Sequence, residues 1–222
     1  MDVKKNLLEF LPTIPENVLL VAVSKTKPNV AVMEAYNAGQ RVFGENKVQD
    51  LTAKAQQLPN DINWHFIGHM QTNKVKYIAP FVKMIHAVDS LKLLKEINKQ
   101  AVKHNRTIEC LLQFHIAEES TKFGLNINEA EDILVSNELN NLENIRIVGV
   151  MGMATYTNDL HLIRSEFKHL HENFVSLKKD FFHNKAYFKE VSMGMSGDYK
   201  IAIEEGSTMI RIGTKIFGER NY

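Results

Sequence analysis

The sequence predicts an α/β fold, a closed parallel (β/α)8 barrel of the TIM type, on three observations. Eight short apolar segments recur along the 222 residues, and each except the last runs on into a helical segment. Strands that alternate with helices form a parallel sheet, because parallel neighbours need a crossover between them. Eight such units, at a length near the lower limit of the barrel fold, favour closure. An open doubly wound sheet is the alternative. The turn after the first strand carries no G-x-G-x-x-G, so nothing there supports a dinucleotide site.

The first strand, LLVAV at 19–23, ends in Ser24, Lys25, Thr26, Lys27 and Pro28. Side chains alternate along a strand, which puts Val21, Val23 and Lys25 on one face, with the amine at the mouth of whatever the strand encloses. Asn29 is expected to cap a helix over 30–38 that Gly39 stops. The second strand, 41–43, turns at Gly44, Glu45 and Asn46 into a helix over 47–58 ended by Pro59. Strand three, 64–67, turns at Gly68, and a short helix over 74–79 stops at Pro80. Strand four covers 84–88 and is followed by a helix over 90–104. Strand five, 108–116, leads through the polar loop 118–124 to a helix that Asn128 caps and that runs to about 135.

Strand six is 145–151. The helix over 159–179 repeats Leu160, Ile163, Phe167, Leu170, Phe174 and Leu177 at steps of three and four. That stripe falls short of three heptads, so it is read as packing on its own core rather than on a coiled-coil partner. Strand seven, 187–193, passes through Gly194, Met195, Ser196, Gly197 and Asp198 into a helix over 199–204. Strand eight is 209–212. No linker, repeat or low-complexity stretch interrupts this order, and 44% hydrophobic residues support one core, so 1–222 is read as a single domain.

Composition excludes several function classes. With 27 basic against 26 acidic side chains the net charge is +1, and no basic run interleaves with aromatics, which argues against nucleic acid as a partner. The lone Cys110 cannot form an intramolecular disulfide, and its apolar neighbours mark it as a packed structural thiol. The apolar stretch near the start is short and broken by Glu9 and Pro12, so it is not a signal peptide, and no stretch reaches membrane-spanning length. A cytoplasmic protein, monomeric and off the membrane, is expected. Nine histidines raise a metal site. His65 and His69 straddle a strand and a loop, and His161, His169 and His171 fall largely on the polar side of the long helix, so no metal is expected.

Barrel topology locates function at the C-terminal ends of the strands, often with a phosphate pocket after the seventh and eighth. Those ends hold Ser196-Gly197 and Gly213-Thr214. Glycines let backbone N–H groups approach an anion, hydroxyls add donors, and the helix starting near Asp198 turns its positive end the same way. Arg211 shares a strand face with Met209 and Gly213. An interior arginine stays charged and needs an acceptor, either a carboxylate such as Glu45 or Glu190, or a ligand. A phosphate pocket, a lysine at another strand mouth and an interior arginine fit one cofactor, pyridoxal 5′-phosphate (PLP).

Five stretches carry a resemblance to a known family: VSKTKP at 23–28, FGEN at 43–46, WHFIGHMQTNK at 64–74, SMGMSGD at 192–198 and MIRIGTKIFG at 209–218. They resemble, in order, the YggS/PROSC family of PLP homeostasis proteins. Met70 stands where that family usually has a branched aliphatic residue, and His115 where asparagine is common. The resemblance implies a fold-type III barrel akin to the PLP domain of alanine racemases. It implies Lys25 as the Schiff-base lysine in preference to Lys27, Ser196, Gly197, Gly213 and Thr214 as phosphate ligands, Arg211 as partner of the ring nitrogen, and Asn46 as a neighbour of the cofactor. No cofactor contact is carried over from strand five.

Three functions fit these residues. The first is a PLP carrier that buffers intracellular PLP and passes it to apo PLP-dependent enzymes. The second is an amino-acid racemase, the third a class I aldolase-like barrel using Lys25 alone. An aldolase needs an acid/base partner for its lysine, and none is identifiable. A permanently protonated guanidinium disfavours a protonated pyridine, which makes PLP a weaker electron sink. Racemases of this kind, by resemblance, draw a second base from a further domain, for which the segment ending at Tyr222 leaves no room. Tyr222 is read as packing on the barrel rim or bottom. The carrier is the expected function, with no catalytic residue.

Overall fold

The computed structural model describes residues 2–118 and 123–219. Tyr222 and residues 119–122 of the polar loop lie outside the described residues.

Eight parallel strands close a barrel in sequential order: β1 Leu19–Val23, β2 Val42–Glu45, β3 Asn63–Phe66, β4 Met84–Val88, β5 Ile108–Gln113, β6 Ile145–Met151, β7 Glu190–Ser192 and β8 Met209–Ile212. Closure is made by β1 on β8, with Val21 opposite Arg211. The helices between them are α2 Asn29–Asn37, α3 Val48–Gln57, α4 Val75–Ile78, α5 Leu91–Lys103, α6 Ile127–Val135, α7 Leu160–Asp180 and α8 Tyr199–Glu204. Two more flank the barrel units, α1 Val3–Phe10 at the start and α9 Thr214–Phe217 after β8.

Strand alternation sorts the apolar residues into two layers. Val21, Met84, Ala87, Leu111, Val148, Met151 and Met209 fill the barrel interior, while the larger layer, with Phe43, Phe66, Phe167 and Phe188, lies between sheet and helices. α7 buries Ile163, Phe167, Leu170, Phe174 and Leu177 in that layer; Leu160 is 61% exposed and drops out of the stripe. At Gly149 on β6 a Cβ would stand 1.8 Å from the Glu190 carbonyl oxygen of β7, so the two strands meet at a distance no side chain permits.

Local chemistry moves several boundaries. Asn126, not Asn128, caps α6: its side chain accepts from the Glu129 amide at 2.9 Å while the Glu129 carboxylate accepts from the Asn126 amide at 2.8 Å, a capping box. Asn29 is the first residue of α2 rather than its cap, a position held by Pro28. β5 stops at Gln113, and Phe114 makes only an isolated bridge to Leu125. β7 is shorter than 187–193 because turns at Lys185 and Phe188 stack the Phe188 ring on Phe182, with ring centres 4.0 Å apart. The broken apolar stretch near the start forms α1. Asp2 caps it through the Lys5 amide at 2.8 Å, and Asn6 Nδ2 donates to the Ile216 carbonyl at 3.1 Å, joining it to α9.

Candidate functional site

β1 ends in a tight turn. The Ser24 amide donates to the Gly44 carbonyl at 3.0 Å, continuing the β1–β2 ladder, and the Ser24 carbonyl accepts from the Lys27 amide at 3.0 Å. Lys25 and Thr26 are therefore the central pair of the turn. Lys25 is half-buried, and the Lys27 ammonium is drawn away to the Glu219 carbonyl at 2.7 Å. The two lysines of the motif thus have different environments.

Asn46 follows β2 directly, beside Gly68 after β3. A Cβ on Gly68 would lie 2.3 Å from the Asn46 carbonyl oxygen, so the strand-three turn packs against the Asn46 backbone only because it is glycine. Asn46 also borders a cavity of about 240 Å³ that His69, Gln71 and Lys74 line, which contains none of the other six expected site residues. The distinctive 64–74 motif therefore builds ground beside the Lys25 turn, not the turn itself.

The loops after β7 and β8 meet. The Gly213 amide donates to Ser196 Oγ at 3.4 Å, and Thr214 opens α9 directly after it. Gly197 is exposed, and no atom lies within 4 Å of where its Cβ would be, which leaves backbone there open to a ligand. Ser196 and Gly213 are half-buried and Thr214 exposed, as groups at an open barrel end should be.

Arg211 is the buried member, 4% exposed. The expected carboxylate partners are elsewhere: Glu190 accepts from Thr208 Oγ1, and Glu45 from Ser24 and Lys54. Instead the guanidinium donates from Nη1 to the Ser192 carbonyl at 2.8 Å and Ser192 Oγ at 2.7 Å, and from Nη2 to the Gly152 carbonyl at 3.0 Å. All three acceptors are neutral. Burial pulls the group down to about 10, partly offset by the Asp198 charge, so it stays cationic at neutral pH.

The Ser192 hydroxyl continues inward. His86 Nδ1 lies 3.0 Å from Ser192 Oγ, and His65 Nδ1 lies 2.9 Å from His86 Nε2. Arg211 donates to Ser192 Oγ, and the direction of the bonds from Ser192 to His86 and from His86 to His65 is set by the imidazole tautomers. Burial depresses both imidazoles, His65 to about 3 with help from Lys83, and His86 well below its usual value with help from His65 and Arg211. Ser192, His86 and His65 were not named from the sequence as parts of the site. Ser192 could have been, since it alternates with Gly194 on the interior face. His86 could have been too, since it alternates with Met84 on the interior face; the register shift between Ile85 and Val88 accounts instead for Ala87, the successive residue that also turns inward.

The remaining candidates separate from this site. Cys110 is fully buried and burial raises its thiol well above the usual range. His161 and His169 are exposed on α7, and among the described residues no three metal-ligating side chains converge. Among the described residues no helix is long and apolar enough to cross a membrane.

Known proteins resemble the chain in sequence and in fold. The model of the alanine racemase N-terminal domain family matches residues 2–221. The chain is 38% identical to the pyridoxal phosphate homeostasis protein of Aquifex aeolicus, covering 91% of this chain and 87% of that one. It is 40% identical to the Vibrio alginolyticus protein of that name, covering 94% and 89%. The structure of PipY from Synechococcus elongatus solved without PLP superposes with a TM-score of 0.90 at 32% identity, covering 97% of this chain and all of that one. The PipY structure with PLP bound gives 0.87 at 32% identity, with the same coverage. An alanine racemase of Clostridium difficile shares the fold at a TM-score of 0.77 and 13% identity, with 57% of its length covered.

Proposed function

Because this chain belongs to the family of alanine racemase N-terminal domains, among the pyridoxal phosphate homeostasis proteins, we propose that it holds PLP on Lys25 and delivers it to apo PLP-dependent enzymes. It does so as a cytoplasmic, monomeric, single-domain carrier without catalytic turnover. The observation that carries the reading is Arg211, a buried cation with only neutral acceptors, on the strand that pairs with the one ending at Lys25. Asp198 offsets part of the burial cost of that charge, and an anionic ligand would offset more.

The residues fit the cofactor. When bound, PLP supplies an aldehyde that condenses with amines, a phosphate dianion and a pyridine nitrogen with a lone pair. Lys25 presents an amine from a tight turn, while Lys27 is tied to Glu219. Ser196 and Gly213 bring a hydroxyl and an amide together, Thr214 follows with a second hydroxyl, and Gly197 leaves the approach open. Among the described residues no acceptor meets Arg211 Nε, so that donor is available for a nitrogen that carries no proton. Ser192 and the two histidines hold the guanidinium in place, and both imidazoles stay neutral. Asn46, directly after β2, is read as a neighbour of the cofactor.

A guanidinium near 10 holds its proton at neutral pH and does not pass it to the ring nitrogen. This suits storage of a reactive aldehyde better than stabilisation of a carbanion. The test is to incubate the PLP-loaded chain with single-enantiomer amino acids, and separately with an apo-transaminase. Enantiomer content is expected to stay unchanged while the transaminase gains activity. Racemisation that disappears in Lys25→Ala contradicts the carrier reading.

A further inference from the structure

The Lys25 turn is gripped from beneath by a buried ion pair. Ser24 Oγ donates to Glu45 Oε1 at 2.6 Å, and Lys54 Nζ of α3 donates to the same oxygen at 2.5 Å. The Lys54 ammonium also donates at 2.7 Å to the Ser24 carbonyl, part of the peptide that joins Ser24 to Lys25. Ser24 and Glu45 are 0% exposed and Lys54 7%. Among the described residues Glu45 Oε2 has no partner. A pair serving only to staple α3 to the barrel would be expected to use both oxygens, since an unmet buried carboxylate oxygen is destabilising. Here both donors converge on one oxygen, and the second bond of Lys54 ends on the residue before Lys25.

The other side of Lys25 is strained. Thr26 has φ +66°, in the left-handed region that β-branched residues avoid. It occupies the turn position where a positive φ is normally supplied by glycine or asparagine. Strain of this kind persists only where the surroundings over-determine it. The clamp holds Ser24 on one side of Lys25 and the strained Thr26 lies on the other, so the residue caught between them is the lysine.

We propose that Ser24, Glu45 and Lys54 are positioning residues that, with the strained turn at Thr26, fix Lys25 and set how fast it captures and releases an aldehyde ligand. The proposal rests on the reading of Lys25 as the ligand-bearing amine. Capture joins Lys25 Nζ to the aldehyde carbon, and the carbonyl oxygen leaves as water with two protons from the amine; release consumes one water and reverses both changes. Capture depends on the neutral nitrogen lying on the approach line to the carbon, which a fixed turn secures in advance.

The experiment compares the natural chain with Thr26→Gly and with the double variant Glu45→Gln/Lys54→Met, which leaves no buried charge unpaired. Capture is followed by the visible band formed on mixing apo-protein with PLP, and release by a semicarbazide chase of the loaded protein. Thr26→Gly is expected to keep or raise the melting temperature yet slow capture about tenfold and speed release, because relief of strain loosens the lysine. The double variant is expected to show the same kinetic change; should it not fold, Thr26→Gly decides alone. Rates within about twofold of the natural chain in the folded variants overturn the positioning role. A natural chain that yields no borohydride-fixed label on Lys25 overturns the underlying site reading instead.

Discussion

At Arg211 the protein keeps a charge beside neutral oxygens, and the hydrogen-bond chain through Ser192, His86 and His65 follows from that. Two imidazoles held neutral in the interior couple the fold to pH. Unfolded, each histidine takes a proton near 6.5; folded, His65 takes one only near 3, and His86 is shifted the same way. Between those values the unfolded chain binds protons that the folded chain excludes, so stability falls as pH falls below 6.5. The slope is about 1.4 kcal/mol per pH unit for each such histidine. His65→Gln should flatten the loss of urea stability between about pH 7.5 and pH 5.5 by roughly 1 kcal/mol relative to the natural chain. Parallel slopes in the two proteins would contradict the buried neutral pair. Lys25, Arg211 and the two Gly-containing loops could be read from the sequence as candidates, because strand ends and turn glycines mark them. The partners of Arg211 could not: Glu45 and Glu190 were plausible acceptors by type, and only the three-dimensional arrangement gives Ser192 and Gly152 that place.

Among the elements, the order of strands and helices could be read because alternation and helical periodicity are long-range patterns. Boundaries set by single contacts could not. Asn126 and Asn128 are equally good caps by residue type, and the reciprocal bond with Glu129 selects the first. β7 shortens because Phe188 stacks with Phe182 and Phe174 instead of extending the strand. Two glycines with opposite surroundings give a paired test. Gly149→Ala puts a Cβ 1.8 Å from the Glu190 carbonyl oxygen, where the backbone must move, and should lower urea stability by about 2–3 kcal/mol. Gly197→Ala meets nothing within 4 Å and should leave stability within about 0.5 kcal/mol while weakening PLP binding, since the new methyl enters the proposed phosphate approach. Loss of stability at Gly197 without loss of affinity would remove that loop from the site.

For the whole molecule, closure of the barrel brings residues distant in sequence to one end. β1 pairs with β8, so the turn at Lys25 lies beside the Gly213 loop, and that loop in turn meets Ser196 after β7. β2 supplies Asn46 next to the Lys25 turn through the Ser24–Gly44 hydrogen bond. Four βα units supply the residues of the proposed site: an amine from β1, an amide side chain after β2, an open glycine and a hydroxyl after β7, and a buried cation from β8. The inward groups nearest to Arg211 are neutral, and the clamp beneath Lys25 acts through the backbone, which together favour retention of a ligand over its transformation. Borohydride reduction of the PLP-loaded chain, followed by peptide mapping, should fix one pyridoxyl phosphate on Lys25 and none on Lys27 or Lys54. Label on either of those lysines, or binding undiminished in Lys25→Ala, would contradict attachment at Lys25.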